Sequence, residues 1–310
     1  MAVPASNYRS VMTLAAPALS RRRSAPLRAY MLMLAPALVL FTAFILIPVV
    51  LTVVGSFFTF GLTSPNWSFA GFDNYVRAAQ DPVFWLSFRN NLIIVFGSIV
   101  TQIGFGTLLA AILDRGIRRG STVFRTLIFA PMVISSVAVG LIWLMILDPN
   151  IGPLNKIVSS LGLRPPTLGW LGDPELSIWM FLVVAAWQYT GFMMVLVLAG
   201  LQGVPEEIYQ AAALDGARGP RAFWYITLPL LRNVLIVAVL ITSIGAFKVF
   251  DLIYVTTRGG PANATQVFGT YIYLQAFNIG NMGYANAIAV FLLVIAVVLG
   301  LLQLRYSRRA

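Results

Sequence analysis

Gly203-Val204-Pro205-Glu206-Glu207-Ile208-Tyr209-Gln210-Ala211-Ala212-Ala213-Leu214-Asp215-Gly216-Ala217, followed by Arg218 to Ile226 and then Thr227-Leu228-Pro229, is a polar interval between two long apolar runs. Its residues prescribe two short helices. Pro205 suits a first helical position, where its fixed φ is already helical and its missing N–H has no partner to lose. Glu206 and Glu207 place negative charge at the positive end of the helix. An alanine-rich stretch carries the helix forward and Gly216 stops it, because glycine tolerates the left-handed conformation that a helix end often needs. A second short helix is expected over Pro220 to Ile226, and Pro229 opens the next apolar run. The interval therefore reads as a helix-turn-helix standing in water between two segments that water would not hold. Ala211, Ala212 and Gly216 lie at helical spacing and give it a small-residue face open to close approach by another protein, although a well-capped connector needs no partner.

The flanking runs decide the class. The 310 residues are 59% hydrophobic and 10% charged, with a mean hydropathy of +0.86, whereas soluble domains carry about 25% charged residues. A membrane helix needs ~20 mostly apolar residues in a row, because the hydrocarbon layer is ~30 Å thick and a helix rises ~1.5 Å per residue. Gaps between charges, trimmed for turn residues, give six spans over residues 31–56, 91–113, 126–147, 177–201, 230–255 and 284–304. The fifth reaches full length only with Lys248 and Asp251 inside the membrane or at its edge.

Six spans put both ends of the chain on one side, and the basic residues say which. Arg9, Arg21, Arg22, Arg23 and Arg28 precede the first span, Arg115, Arg118, Arg119 and Arg125 follow the second, Arg218, Arg221 and Arg232 follow the fourth, and Arg305, Arg308 and Arg309 close the chain. The other side holds the smaller set Arg77, Arg89, Lys156, Arg164 and Arg258. Both termini are thus expected in the cytoplasm. Residues 1–29 form a basic cytoplasmic tail able to touch anionic lipid, residues 30–304 a transmembrane domain, and residues 305–310 a cytoplasmic C-terminus. The tail is not a cleaved secretory signal, since the apolar run behind it exceeds the ~7–15 residues of such a segment. On the outer side, Gly71 to Asn91 suits short amphipathic helices on the membrane surface. Trp67, Trp85, Trp170 and Trp179 suit anchoring at the headgroup level or docking of an outside partner.

The chain has no Cys and no His. Thiol nucleophiles, disulfides and imidazole bases are excluded, and with them nearly all zinc, copper and haem sites. An intramembrane protease or acyltransferase, which commonly needs His or paired Asp, is a distant alternative. Nothing suggests a nucleic-acid-reading fold.

Gln210-Ala211-Ala212, then Gly216, then Ile226, Leu228 and Pro229 resemble the EAA signature of bacterial ABC importer permeases, a Glu-Ala-Ala, Gly, Ile-x-Leu-Pro pattern. Gln210 departs from the usual Glu and keeps its shape without its charge. Ala199-Gly200-Leu201-Gln202, Asp215-Gly216-Ala217, Phe247 to Val255 and Gly259-Gly260-Pro261 resemble the carbohydrate-uptake permeases of the maltose and glycerol-3-phosphate type, with weaker matches at Gly71 to Tyr75 and Gly283 to Ala285. The resemblance extends from Tyr30 to Leu304. It implies an all-α membrane protein of the type I importer permease fold with six transmembrane helices, in the bacterial inner membrane.

It also implies a division of labour. Residues 203–229 would be the coupling loop, with Glu207, Gln210, Ala211, Ala212, Asp215 and Gly216 against a cytoplasmic ATPase. Two such ATPase subunits would bind ATP and Mg, a second permease subunit, a distinct chain, would pair with this one, and an extracytoplasmic binding protein would deliver the solute. This chain lacks the Gly-rich Lys-Ser/Thr loop that cradles ATP phosphates, so it would be no enzyme and hold no cofactor. Matched through Trp187 and the Gly-Gly-Pro motif, the solute path would use Ala185, Gln188, Tyr189 and Phe192 on one helix and Thr242, Gly245, Ala246 and Val249 on the other. Both sets have i, i+3, i+4, i+7 spacing and so form stripes. Gln188 and Thr242 can hydrogen-bond sugar hydroxyls, and Tyr189 and Phe192 can stack on a ring. Lys248 and Asp251, three apart, are spaced for an ion pair on one helix face and suit a gate. The expected cargo is a sugar or polyol, with glycerol 3-phosphate or a phosphodiester as the alternative.

Overall fold

The computed structural model describes residues 27–63, 66–115 and 120–307. The chain divides into two compact units, Met1–Val50 and Leu51–Ala310. In the first lies most of helix α1, whose membrane-length part is Met31–Gly55, with a π turn at Thr42–Leu46. The side chains from Met31 to Val50 are exposed, as expected of a segment whose solvent is lipid. The basic tail expected over residues 1–29 lies outside the described residues up to residue 26.

The second unit begins with a small hairpin, β1 (Phe58–Thr59) paired antiparallel to β2 (Ser68–Phe69), with Phe58 opposite Phe69. Helix α2 (Asp73–Gln80) leads to α3 (Pro82–Asp114), the second span. Helices α4 (Ser121–Val133) and α5 (Ser136–Ile146) follow, then α6 (Pro153–Ser160) and the long α7 (Ser177–Gln202). The polar interval forms α8 (Glu206–Leu214) and α9 (Pro220–Ala222). Helix α10 (Arg232–Phe247) and α11 (Asp251–Thr256) make the fifth span, and α12 (Phe268–Tyr273) packs against α3 and against α13 (Met282–Ser307), the sixth.

Five of these segments are long and apolar enough to cross a membrane, and α4 with α5 makes a sixth if the bent pair is one span. Two boundaries and the course of the third span differ from the expected ones. Helix α3 starts at Pro82, not near residue 91, because Asp81 caps it: Oδ1 accepts the Val83 N–H at 2.8 Å, with Pro82 in the first turn. Arg89 therefore lies on the helix, where a long side chain can reach the interface. The third span is not one rod. It bends by 97° between Val133 and Ser136, where Ser135 turns extended and its Oγ accepts the Ala138 N–H at 3.2 Å to start α5. Helix α13 runs on through Ser307, into the segment expected as a C-terminal tail, of which residues 308–310 lie outside the described residues. Of the surface segment expected over Gly71 to Asn91, α2 takes the first half and the span itself the second.

Lipid tails are as apolar as the side chains, so helices in a membrane gain little by burying Leu and associate through close packing instead. Glycines provide it here. A Cβ on Gly191 of α7 would sit 2.1 Å from the Ile128 carbonyl oxygen of α4, and one on Gly106 of α3 would sit 2.9 Å from Met193 Cβ of α7. Apart from these crossings, Ile94, Phe181, Leu182, Val184, Ile253, Phe268 and Ile288 belong to one buried core from α3, α7, α11, α12 and α13.

The end of the bundle remote from α8 is laced with polar contacts. Asp81 Oδ2 accepts hydrogen bonds from the hydroxyls of Tyr284, at 2.6 Å, and Tyr271, tying the start of α3 to α12 and α13. Arg77 lies 4.3 Å from the centre of the Tyr284 ring. Burial alone would raise the Asp81 carboxyl, but hydrogen bonds from Tyr271, Tyr284 and the N–H groups of Val83 and Phe84 outweigh it and hold the group below the usual carboxylate range. Asn74 Nδ2 donates to the carbonyls of Ser56 and Phe58 at 2.9 and 3.0 Å, fastening α2 to the hairpin.

Candidate functional site

A cavity of about 290 Å³ opens where α3, α7 and α10 converge. Helix α7 contributes Phe181, Ala185, Tyr189, Phe192 and Met193, and α10 contributes Ile241, Thr242, Gly245 and Ala246. Seven of the eight expected path residues therefore line one space, including Val249 from the segment after α10. Gln188 does not. It is 1% exposed, at the edge of its stripe, and its Nε2 donates to the Ile134 carbonyl at 3.2 Å. That carbonyl belongs to the break between α4 and α5, where a backbone oxygen has lost its helical partner, so Gln188 serves the bend and not the cavity. Tyr189 does both, since its ring lines the cavity while its hydroxyl meets Ser136 Oγ at 3.1 Å.

The geometry adds wall residues that the two stripes leave out. Ile94, Ser98 and Gln102 come from α3, with Gln102 Nε2 donating to Ser98 Oγ at 3.1 Å, and Met132 and Ser136 flank the bend. Ser98 and Gln102, one helical turn apart in the span, were the signal that could have found the α3 wall, since polar side chains in a membrane helix face the protein or water.

Lys248 and Asp251 both line the cavity, but the helix face that would have paired them does not exist. Helix α10 ends at Phe247, Phe250 takes φ −142°, and a new helix starts at Asp251. No ion pair joins the two residues, and both stand exposed at the open side of the cavity. The i, i+3 argument fails because it assumed a continuous helix.

At the other end of the bundle the polar interval between α7 and α10 folds into the two expected short helices. Helix α8 runs Glu206–Leu214 with Pro205 as its cap, so Pro205 is not the first helical residue as expected and the helix starts one residue later. Gly216 takes φ +80°, and the Ala217 N–H returns to the Ala212 carbonyl at 2.8 Å. Gly219, at φ +56°, turns the chain into Pro220. Of the expected contact residues, Glu207, Gln210, Ala211, Asp215 and Gly216 are exposed. Ala212 is buried against the rest of the chain, beside Tyr209, whose hydroxyl reaches Thr227 Oγ1 at 3.3 Å. Neighbours on a helix are ~100° apart, so Ala211 and Ala212 cannot both sit at the centre of one free face. The free face carries instead Leu214, which is 88% exposed, and Tyr225 and Trp224 stand exposed in the following turn.

Residues 102–310 match the family described as binding-protein-dependent transport system inner membrane component. The chain belongs to this family. It is a multi-pass permease of the inner membrane with the type I ABC importer permease fold. A probable ABC transporter permease protein of Bacillus subtilis, YurN, is 40% identical, over 89% of this chain and 95% of its own. The trehalose/maltose transport system permease protein MalF of Thermococcus litoralis is 35% identical, over 89% and 92%. Among solved structures, a bacterial alginate ABC transporter in complex with an alginate pentasaccharide-bound periplasmic protein aligns with a TM-score of 0.79 at 25% identity, covering 91% of this chain and 95% of that one.

Proposed function

We propose that the permease passes a sugar or related polyol through the cavity between α7 and α10. The observation that carries this is the lining: the rings of Phe181, Tyr189, Phe192 and Phe250 stand with the hydroxyls of Ser98, Ser136 and Thr242 around one space. Aromatic faces stack on the apolar face of a sugar ring while hydroxyls exchange hydrogen bonds with its edge, the usual division in a pocket that is mostly apolar with a few polar groups. The relatives named for trehalose, maltose and alginate support the same class. An extracytoplasmic binding protein delivers the solute, and a second permease chain supplies the other wall at the exposed stripe of Ile241, Gly245, Lys248 and Asp251. Two cytoplasmic ATPase subunits hold ATP and Mg and drive α8, whose exposed Glu207, Gln210, Ala211, Leu214 and Asp215 form the contact.

The experiment is uptake in reconstituted vesicles containing the complete importer and its binding protein, across a panel of mono- and disaccharides and phosphorylated polyols. Phe192→Ala and Thr242→Ala should each lower the uptake of the preferred sugar by about tenfold per 1.4 kcal/mol of lost contact. Gln188→Ala should instead reduce the amount of intact permease without changing its ranking of solutes, because it strands the Ile134 carbonyl. Unchanged uptake in both lining variants would remove the cavity from the path. The presence of Lys248 on the wall favours a phosphorylated polyol as a second reading, and selective loss of phosphorylated solutes in Lys248→Gln would establish it.

A further inference from the structure

The segment Lys248–Phe250 is an interruption inside a membrane span. A helix that ends there leaves carbonyls without their i+4 donors, and lipid cannot supply them. One side chain does. Asn91 of α3 is fully buried, and its Nδ2 donates to the Ala246 carbonyl at 3.0 Å. Its Oδ1 accepts the N–H of Phe268, also at 3.0 Å, which is an unpaired donor at the start of α12. A single amide thus ends α10 and begins α12.

On its other flank the interruption lies against Gly269. A Cβ there would sit 2.6 Å from the Val249 carbonyl oxygen and 3.2 Å from Phe250 Cβ. Its φ is not in the left-handed region, so the glycine is needed for approach and not for conformation. Helix α12 cannot easily retreat, because Asn90 Nδ2 donates to the carbonyls of Ala264 and Gln266, both at 2.9 Å, and pins the loop before it. Val249 and Phe250 also line the cavity, so the segment against Gly269 is part of its wall.

We infer that Asn91 and Gly269, neither of which lines the cavity, are positioning residues that hold the Lys248–Phe250 wall and so set the bore of the solute path; this rests on the cavity being that path. The absence of cysteine from the chain makes the bore measurable. Gly245→Cys places a thiol in open space on the lining. In membranes containing the assembled importer, its reaction rates with a small and a bulky methanethiosulfonate of equal charge are compared, with labelling read on this chain alone. The ratio of the two rates does not depend on how much protein folds, so a merely structural role leaves it unmoved.

Adding Gly269→Ala should push Val249 and Phe250 inward and lower the bulky-to-small ratio about fivefold, the low end of what overpacking strain corresponds to. Asn91→Leu, which releases the wall, should raise it. Phe192→Ala, which trims the lining itself, is the reference and should also raise it. A ratio moved by Phe192→Ala but by neither Gly269→Ala nor Asn91→Leu overturns the inference and leaves the cavity reading standing. A ratio moved by none of the three counts against the cavity as the path. Gly269→Ala decides the matter if Asn91→Leu leaves no folded chain.

Discussion

Gly191→Ala is expected to remove most of the folded permease from the membrane. The added carbon would lie 2.1 Å from the Ile128 carbonyl oxygen and 2.7 Å from Phe129 Cα. Both are backbone atoms, so no rotamer change relieves the overlap, and α4 must part from α7. Overpacking usually costs about 1–3 kcal/mol even where side chains can give. Here the displaced helix also carries the bend that Gln188 and Tyr189 hold, so the loss should reach a large part of the ~5–15 kcal/mol that keeps a typical domain folded. Gly300→Ala on α13 is the matched control, since a Cβ there meets nothing within 4 Å. Membrane abundance and protease resistance of the two variants give the answer. Equal abundance would mean that α4 and α7 are not in contact through Gly191.

Gly216→Val should act at the opposite end and leave the membrane domain intact. The residue is at φ +80° with open space around it, so the penalty is purely conformational. A β-branched residue in the left-handed region costs about 1–2 kcal/mol or more, enough to turn the chain out of α8 in another direction. With the turn displaced, ATP hydrolysis by the partner subunits should continue while uptake falls by about tenfold or more, as 1.4 kcal/mol of lost coupling would give. Gly216→Asn should retain most uptake, because Asn visits the left-handed region at little cost. Both rates are measured in vesicles containing the assembled importer. Uptake and hydrolysis that fall together in the Val variant would show that the turn is not a coupling element.

Much of the architecture is legible from charge spacing, because a membrane helix is defined by what it excludes. The interruptions are not. At residues 133–136 and 248–250 the polar side chains are Ser135, Ser136 and Lys248, which do not by themselves end a helix, and the partners that make a break tolerable come from far away in sequence: Gln188 for one, Asn91 for the other. The stripes on α7 and α10 come from the family resemblance, matched at Trp187 and the Gly-Gly-Pro motif, and their i, i+3, i+4, i+7 spacing agrees with it. The α3 wall could have been found from Ser98 and Gln102, but both lie on a helix that the family resemblance left unassigned. Periodicity alone could not separate Gln188 from Tyr189, since adjacent positions at a stripe's edge face different neighbours.

The polar contacts of Asp81 with Tyr271 and Tyr284, and of Asn74 with the hairpin, gather at the end of the bundle away from α8. Toward the α8 end, a Cβ on Gly200 of α7 would sit 2.8 Å from Val234 Cγ2 of α10, so those two helices cross closely there. A push on α8, as the proposed ATPase contact would give, would meet a bundle tied by hydrogen bonds at its far end. A body held in that way would swing about its tied end, so that a small displacement of α8 would become a change in tilt of α7 and α10 at the depth of the cavity.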